Sequence, residues 1–157
     1  MQIGRRFAFD VGKARIGVAA SDPHAILCSP QAHIKRSDDI NISCAEALAL
    51  LVSEQAICAY VGLPINLHSK NTESTLDAIL FASQLQDLTD IPVRLIDERL
   101  STKSAAASLR EVGHSAKQQK GLIDSAAAAV ILEQALILEK SADGFAGKTV
   151  SEVSDAI

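Results

Sequence analysis

Phe7-Ala8-Phe9-Asp10-Val11-Gly12-Lys13-Ala14-Arg15-Ile16-Gly17-Val18-Ala19 is the stretch whose reading decides the fold. An apolar, strand-forming run ends in one carboxylate, turns at Gly12 and resumes as a second apolar run. Two such runs across a short Gly-containing segment predict a β-hairpin. Asp10 then stands at the tip of the first strand, where a side chain can reach a cleft. Asp is also an ordinary turn residue, and this stretch alone does not separate the two roles. Two more carboxylates, Glu98 and Asp124, likewise fall where apolar patterning would not put them.

Working outward, residues 5–10 and 16–20 are the first two strands, and residues 25–34 read as a third that Pro30 pushes to an edge. Asn41 or Ser43 caps a helix through about Gln55, with Ala45, Leu48, Ala49, Val52 and Ala56 as its apolar stripe. Ala56 to Leu63 is a continuous apolar run, the pattern of a strand buried on both faces. A polar loop, Asn66 to Thr72, leads to a helix over roughly 73–88, with Leu76, Ile79, Leu80, Ser83 and Leu85 near its inner side. Residues 92–97 form the next strand, and Glu98 lies at its carboxyl end. Ser101 or Thr102 caps a short helix to Val112, stopped at Gly113. The last helix, about 117–139, turns Leu122, Ser125, Ala126, Ala129, Leu132, Ala135 and Leu136 inward, with Asp124 among them. The order β-β-β-α-β-α-β-α-α predicts an α/β fold, a mixed five-stranded sheet flanked by helices. Residues 1–140 form one domain, and 141–157, polar with Gly144 and Gly147, read as a flexible tail.

At 157 residues the chain is long enough to bury a core without staples. Five aromatics and no Trp leave that core aliphatic, with few rings on which bases could stack. Three cysteines without a C-x-x-C pair suit a reducing cytosol and inert buried thiols. The histidines are scattered without zinc-site spacing, which gives them surface or loop roles. Nothing reaches membrane-spanning length, so a cytoplasmic protein is expected. A net charge of −4 excludes a generally basic coat, but the charge is unevenly placed. Residues 1–36 carry six basic and two acidic side chains, and residues 99–120 carry five basic and one acidic. Between them, residues 37–98 hold ten carboxylates against Lys70 and Arg94. Two basic segments that meet in space would fit a polyanion; a mixed, solvated surface is the plainer reading.

Ligands of open sheets bind outside the carboxyl ends of the strands. Asp10 and Glu98 fall at such ends, and a docked last helix would bring Asp124 beside them. Gathered carboxylates raise one another's pKa unless a divalent cation neutralises them. An all-oxygen set without His or Cys suits Mg²⁺ or Mn²⁺. Two such ions roughly 3.5–4 Å apart activate a water and stabilise the leaving oxygen of a phosphodiester.

Four motifs occur in order: Asp10-x-Gly12-x-x-Arg15-x-Gly17-x-Ala19, Gly62-Leu63-Pro64-x-Asn66, Asp97-Glu98-Arg99-Leu100-Ser101-Thr102 and Ile123-Asp124-Ser125-x-Ala127-Ala128. Over roughly residues 5–138 the chain resembles the YqgF (RuvX) family of pre-16S ribosomal RNA nucleases, related to Holliday-junction resolvases. The resemblance implies a ribonuclease H-like fold, a catalytic and metal-binding triad of Asp10, Glu98 and Asp124, and Mg²⁺ or Mn²⁺ as cofactor. It implies metal-dependent hydrolysis of RNA in maturing the 5′ end of pre-16S ribosomal RNA, with ribosomal particles as further partners. A Holliday-junction-resolving deoxyribonuclease and a non-catalytic nucleic-acid or ribosome-associated module are the alternatives. An actin-like nucleotide binder shares Asp-x-Gly at its first hairpin, but the chain is too short for two lobes. Arg15, Asn66, Arg99, Lys103 and Lys120 are the candidate substrate contacts, and the expected state is a monomer or weak dimer. Two departures stand out: His68-Ser69 where the family loop has Asp-Gly, and Leu100-Ser101-Thr102 where it has Leu-Thr-Thr. Asp97 and Glu98 point to opposite sides of a strand, so only one of them faces the Asp10 cleft.

Overall fold

In a computed structural model, residues 1–65, 72–98, 116–142 and 144–155 are described, without the side chains of 116–124 and 155. Strands β1 (Arg5–Val11), β2 (Arg15–Ser21) and β3 (Cys28–Lys35) form the antiparallel meander that the opening hairpin predicts. Strands β4 (Ala56–Leu63) and β5 (Val93–Asp97) then join β1 in parallel, and with β6 (Lys148–Thr149) the order is β3-β2-β1-β4-β5-β6. Helices α1 (Ile40–Ser53) and α2 (Glu73–Leu88) cover one face, and the 26-residue α3 (Ala116–Ser141) lies across the other. The short helix expected over 101–112 falls outside the described residues.

Strand alternation sorts the side chains into two cores. Phe7, Phe9, Ile16, Val18, Val61, Val93 and Leu95 point to α1 and α2, where Phe9 meets Phe81 at 5.7 Å between ring centroids. Ala8, Ala19, Cys58, Tyr60 and Ile96 point the other way, against Ala128, Ala129, Ile131, Leu132 and Ala135 of α3. Small residues on both sides of this second layer let α3 press closely on the sheet.

Three expectations are corrected. The inner face of α1 is Ser43, Cys44, Ala47 and Leu51, not the predicted stripe, and Val52 is 61% exposed. Leu76 and Leu80 of α2 also face solvent, while Thr75, Ala78, Ile79, Phe81, Ala82 and Leu85 are buried. The reason is close helix–helix approach: Cys44 Sγ donates to the Phe81 carbonyl at 3.6 Å, a contact that needs small side chains. The third correction is a sixth strand, drawn from the expected loose tail. Residues Lys148–Thr149 pair antiparallel with β5 as β6, and Val150–Asp155 follow as helix α4, which buries Val153 in the first core. Arg94 of β5 anchors this segment by donating to the carbonyls of Ala146 at 3.0 Å and Gly147 at 2.7 Å. The Ala146 N–H donates to the buried Tyr60 hydroxyl at 3.1 Å. Gly147 adopts φ +74°, and a Cβ there would stand 2.3 Å from the Leu95 carbonyl oxygen. Among the described residues, no helix is long and apolar enough to cross a membrane.

Candidate active site

The parity of three parallel strands builds the site. On β1, Asp10 follows Ala8 onto the α3 face; on β4, Gly62 follows Tyr60; just past β5, Glu98 follows Ile96. Register aligns them, because Phe9 pairs with Val61, Gly62 pairs with Ile96, and the Glu98 N–H donates to the Leu63 carbonyl at 3.1 Å. Asp97 shares the parity of Val93 and Leu95 and therefore faces the other core. The choice between the two neighbouring acids falls on Glu98.

Gly62 is the space between them. A Cβ at Gly62 would lie 2.1 Å from Glu98 Oε1 and 2.5 Å from Ile131 Cδ1. The absent side chain is what admits the Glu98 carboxyl beneath α3. There Glu98 hydrogen-bonds to Asp10, while its Oε1 is buried with no hydrogen-bond partner. Burial first, then the charge and hydrogen bond of Asp10 and the charge of Asp97, push the Glu98 carboxyl up to about 8. Burying an acid pair with one unsatisfied oxygen is costly, and a divalent cation fits its oxygen donors.

The third expected acid is carried by α3. Position 124 stands one turn before Ala128 and two before Ile131, both of which pack against the sheet. Its side chain lies outside the described set. Among the described residues, no group of three or more His, Cys, Asp or Glu stands ready to hold a metal.

Arg15 lies on the site side by the same alternation, since Gly17 pairs with Asp10 and Arg15 stands two residues before it. Asn66, Arg99 and Lys103 are outside the described residues, as is the side chain of Lys120. Other members of the basic N-terminal segment are already engaged. Arg5 pairs with Glu54 at 2.7 Å, and the fully buried Arg6 pairs with Glu139 at 3.1 Å. Arg36 grips Asp77 with both terminal nitrogens, at 2.6 and 2.7 Å. That last pair matters to the site, because Arg36 Nη1 also donates to the Gly12 carbonyl at 3.2 Å and the Arg36 N–H donates to the Ala14 carbonyl at 3.0 Å. Both bonds hold the turn between Asp10 and Arg15. A cleft of about 360 Å³ opens beside this turn, lined by Gly12, Lys13, Arg36, Asp38, Glu73 and Asp77. Its carboxylates outnumber its cations, which suits no anion.

Of the three cysteines expected to be buried thiols, two are, while Cys28 is half-buried. Cys44 and Cys58 are buried, and burial pushes Cys28, Cys44 and Cys58 up to about 12, 11 and 12. Thr72 and Thr75 form a capping box at the start of α2, and the Thr75 hydroxyl donates to the Pro64 carbonyl. This bond ties the Gly62-Leu63-Pro64 motif to the helix that follows.

Comparison with known proteins supplies the family. The model of the family described as "RuvX: Holliday junction resolvase" matches residues 4–137. The chain belongs to the RuvX family. It is thereby a nuclease, a hydrolase of phosphodiester bonds. A protein of Clavibacter michiganensis subsp. michiganensis named "Putative pre-16S rRNA nuclease" is 44% identical over 150 residues, 96% of this chain and 93% of that one. A relative of the same name from Mycobacterium ulcerans is 47% identical over 132 residues, 83% of this chain and 76% of its own. Among solved structures, T. thermophilus RuvC in complex with a Holliday junction substrate superposes with a TM-score of 0.62. It is 15% identical, covering 91% of this chain and 99% of that one. The fold of this RuvX protein is accordingly ribonuclease H-like, with a sheet one strand wider than the five expected.

Sequence reading did not single out Gly62, Arg36 or Asp77 for the site. Gly62 was visible only as part of Gly62-Leu63-Pro64, and the Arg36–Asp77 pair spans 41 residues without a local pattern.

Proposed function

We propose that this RuvX chain cleaves RNA, at the 5′ end of pre-16S ribosomal RNA, with Mg²⁺ or Mn²⁺ held by Asp10, Glu98 and Asp124. The observation that carries the reading is the Asp10–Glu98 pair, with Glu98 Oε1 buried and unsatisfied under α3. Oxygen donors of this kind fit Mg²⁺ or Mn²⁺, and bound there the cation would supply charge for an attacking water and a leaving oxygen. The chain itself contributes position. Asp10 at the end of β1 and Glu98 just past β5 flank the intervening parallel strand β4, α3 covers one side, and Arg15 stands at the same sheet end to meet a phosphate. Curated relatives at 44% and 47% identity carry a precursor-rRNA name, which favours RNA over branched DNA. By the same reading, Asn66, Arg99, Lys103 and Lys120 approach the substrate backbone, and ribosomal particles are its setting.

The test is purified protein with Mg²⁺ or Mn²⁺ against precursor 16S RNA, unrelated single-stranded RNA and a four-way DNA junction. Cleavage of the precursor, abolished by Asp10→Asn and by chelator, is the expected result. Cleavage of the junction alone would replace the RNA reading with junction resolution.

A further inference from the structure

Residue 125, next to the third acid, has a side chain with an unusual placement. Ser125 is fully buried on the sheet-facing side of α3. Its hydroxyl accepts a hydrogen bond from the Val18 N–H of β2 at 3.1 Å and donates one to the Gln31 carbonyl of β3 at 2.6 Å. Val18 and Gln31 are register partners, at the point where the β2–β3 register shifts between Ile16 and Val18. One hydroxyl of the helix is thus seated between two backbone groups of adjacent strands, some fourteen residues before the Glu139–Arg6 pair at the far end of α3.

The location gives the contact its meaning. Val18 is next to Gly17, the register partner of Asp10. One bond thus relates the backbone at position 125 to the strand residue beside the partner of Asp10. Beside it the buried side chains of α3 are small: Ala126, Ala128 and Ala129. Two turns on, Ile131 packs on the same face against the Gly62 gap.

We propose that Ser125 is a positioning residue: its hydroxyl, bridging Val18 and Gln31, fixes where α3 carries position 124 relative to the Asp10–Glu98 pair. This rests on the proposed function, in which Asp124 completes the cation-binding set. Ser125 touches neither substrate nor cation; it acts through its neighbour. Groups that hydrogen-bond a metal ligand are worth about 10–100-fold in metal affinity, and a residue that sets the backbone position of a ligand is expected to fall in that range.

The experiment is Mn²⁺ titration of the full-length protein by calorimetry, paired with thermal melts in chelator. The variants are Ser125→Ala, Ser125→Cys, Asp124→Asn and Leu132→Ala. Leu132→Ala opens a cavity in the same helix, so it destabilises the fold without touching the bridge. Ser125→Ala is expected to weaken Mn²⁺ binding about 10–100-fold, while Leu132→Ala lowers the melting temperature at least as far and leaves Mn²⁺ affinity unchanged. Ser125→Cys, which keeps a weak donor and acceptor, should fall between Ser125→Ala and wild type. It carries the test if Ser125→Ala does not fold. Equal Mn²⁺ affinity in wild type and the Ser125 variants, or an equal loss in Leu132→Ala, overturns the positioning role. If Asp124→Asn leaves Mn²⁺ affinity untouched, the reading of the site fails instead, and the two failures are told apart.

Discussion

Removing the charge of Glu98 should change how stability depends on pH, with a sign that the geometry dictates. Burial and Asp10 push the Glu98 carboxyl from 4.5 to about 8 in the folded chain. Below pH 4.5 folded and unfolded chains both hold the proton, and above about 8 neither does. Between these limits only the folded chain holds it, so unfolding releases a proton and metal-free stability falls as pH rises. At about 1.4 kcal/mol per pH decade, with solvent screening of a partly exposed group, the fall is on the order of 2–5 kcal/mol. Glu98→Gln keeps the shape and cannot ionise. Its stability in chelator should stay nearly flat over the same range and exceed that of wild type at pH 8. Urea unfolding followed by far-UV circular dichroism at pH 5, 6.5 and 8 measures this without relying on tryptophan, which the chain lacks. A wild-type curve that rises with pH, or a Glu98→Gln curve of the same slope, would refute the buried acid pair.

Gly62→Ala should cost about 1–3 kcal/mol by overpacking and abolish cleavage, because its Cβ falls on Glu98 Oε1 and Ile131; denaturant melts and a cleavage assay check both. Asp77→Ala leaves Arg36 with the Gly12 carbonyl but no carboxylate, so a loss of about 1–3 kcal/mol and a lower cleavage rate are expected, the latter because the Asp10–Arg15 turn loses its support. Ending the chain at residue 143 removes Val153 from the core and the Ala146 partner of Tyr60. At about 1.5–3 kcal/mol for a buried apolar side chain, the truncated protein should melt well below wild type, and unchanged melting would show that the segment is only loosely attached.

Much of this architecture is legible in the chain because its strongest signals are periodic. The Phe7–Ala19 hairpin, the doubly buried 56–63 strand and the inner face of α3 all follow from alternation or helical spacing. Strand parity likewise separates Glu98 from Asp97 once Ile96 and Leu95 are assigned to their faces. The stripes of α1 and α2 mislead because Leu and Val outweigh Ala, Ser and Cys in any apolar pattern. A close helix pair prefers the small residues, as Ala47, Cys44 and Ala78 show. The C-terminal segment hid for another reason. It is held by backbone carbonyls that accept from Arg94 and by the Tyr60 hydroxyl, interactions that leave no periodic trace. Gly62 and Ser125 act through what they leave empty or bridge, which only the assembled sheet and helix reveal.

The central claim is that Asp10 and Glu98, with Asp124, hold the cation of a phosphodiester-cleaving site. Anomalous scattering from crystals of the protein soaked in Mn²⁺ tests it most directly. A manganese peak bonded to the carboxylates of Asp10 and Glu98, lost in Asp10→Asn crystals, is the expected result. Manganese bound elsewhere, in crystals of a protein that still cleaves RNA in Mn²⁺, would contradict it.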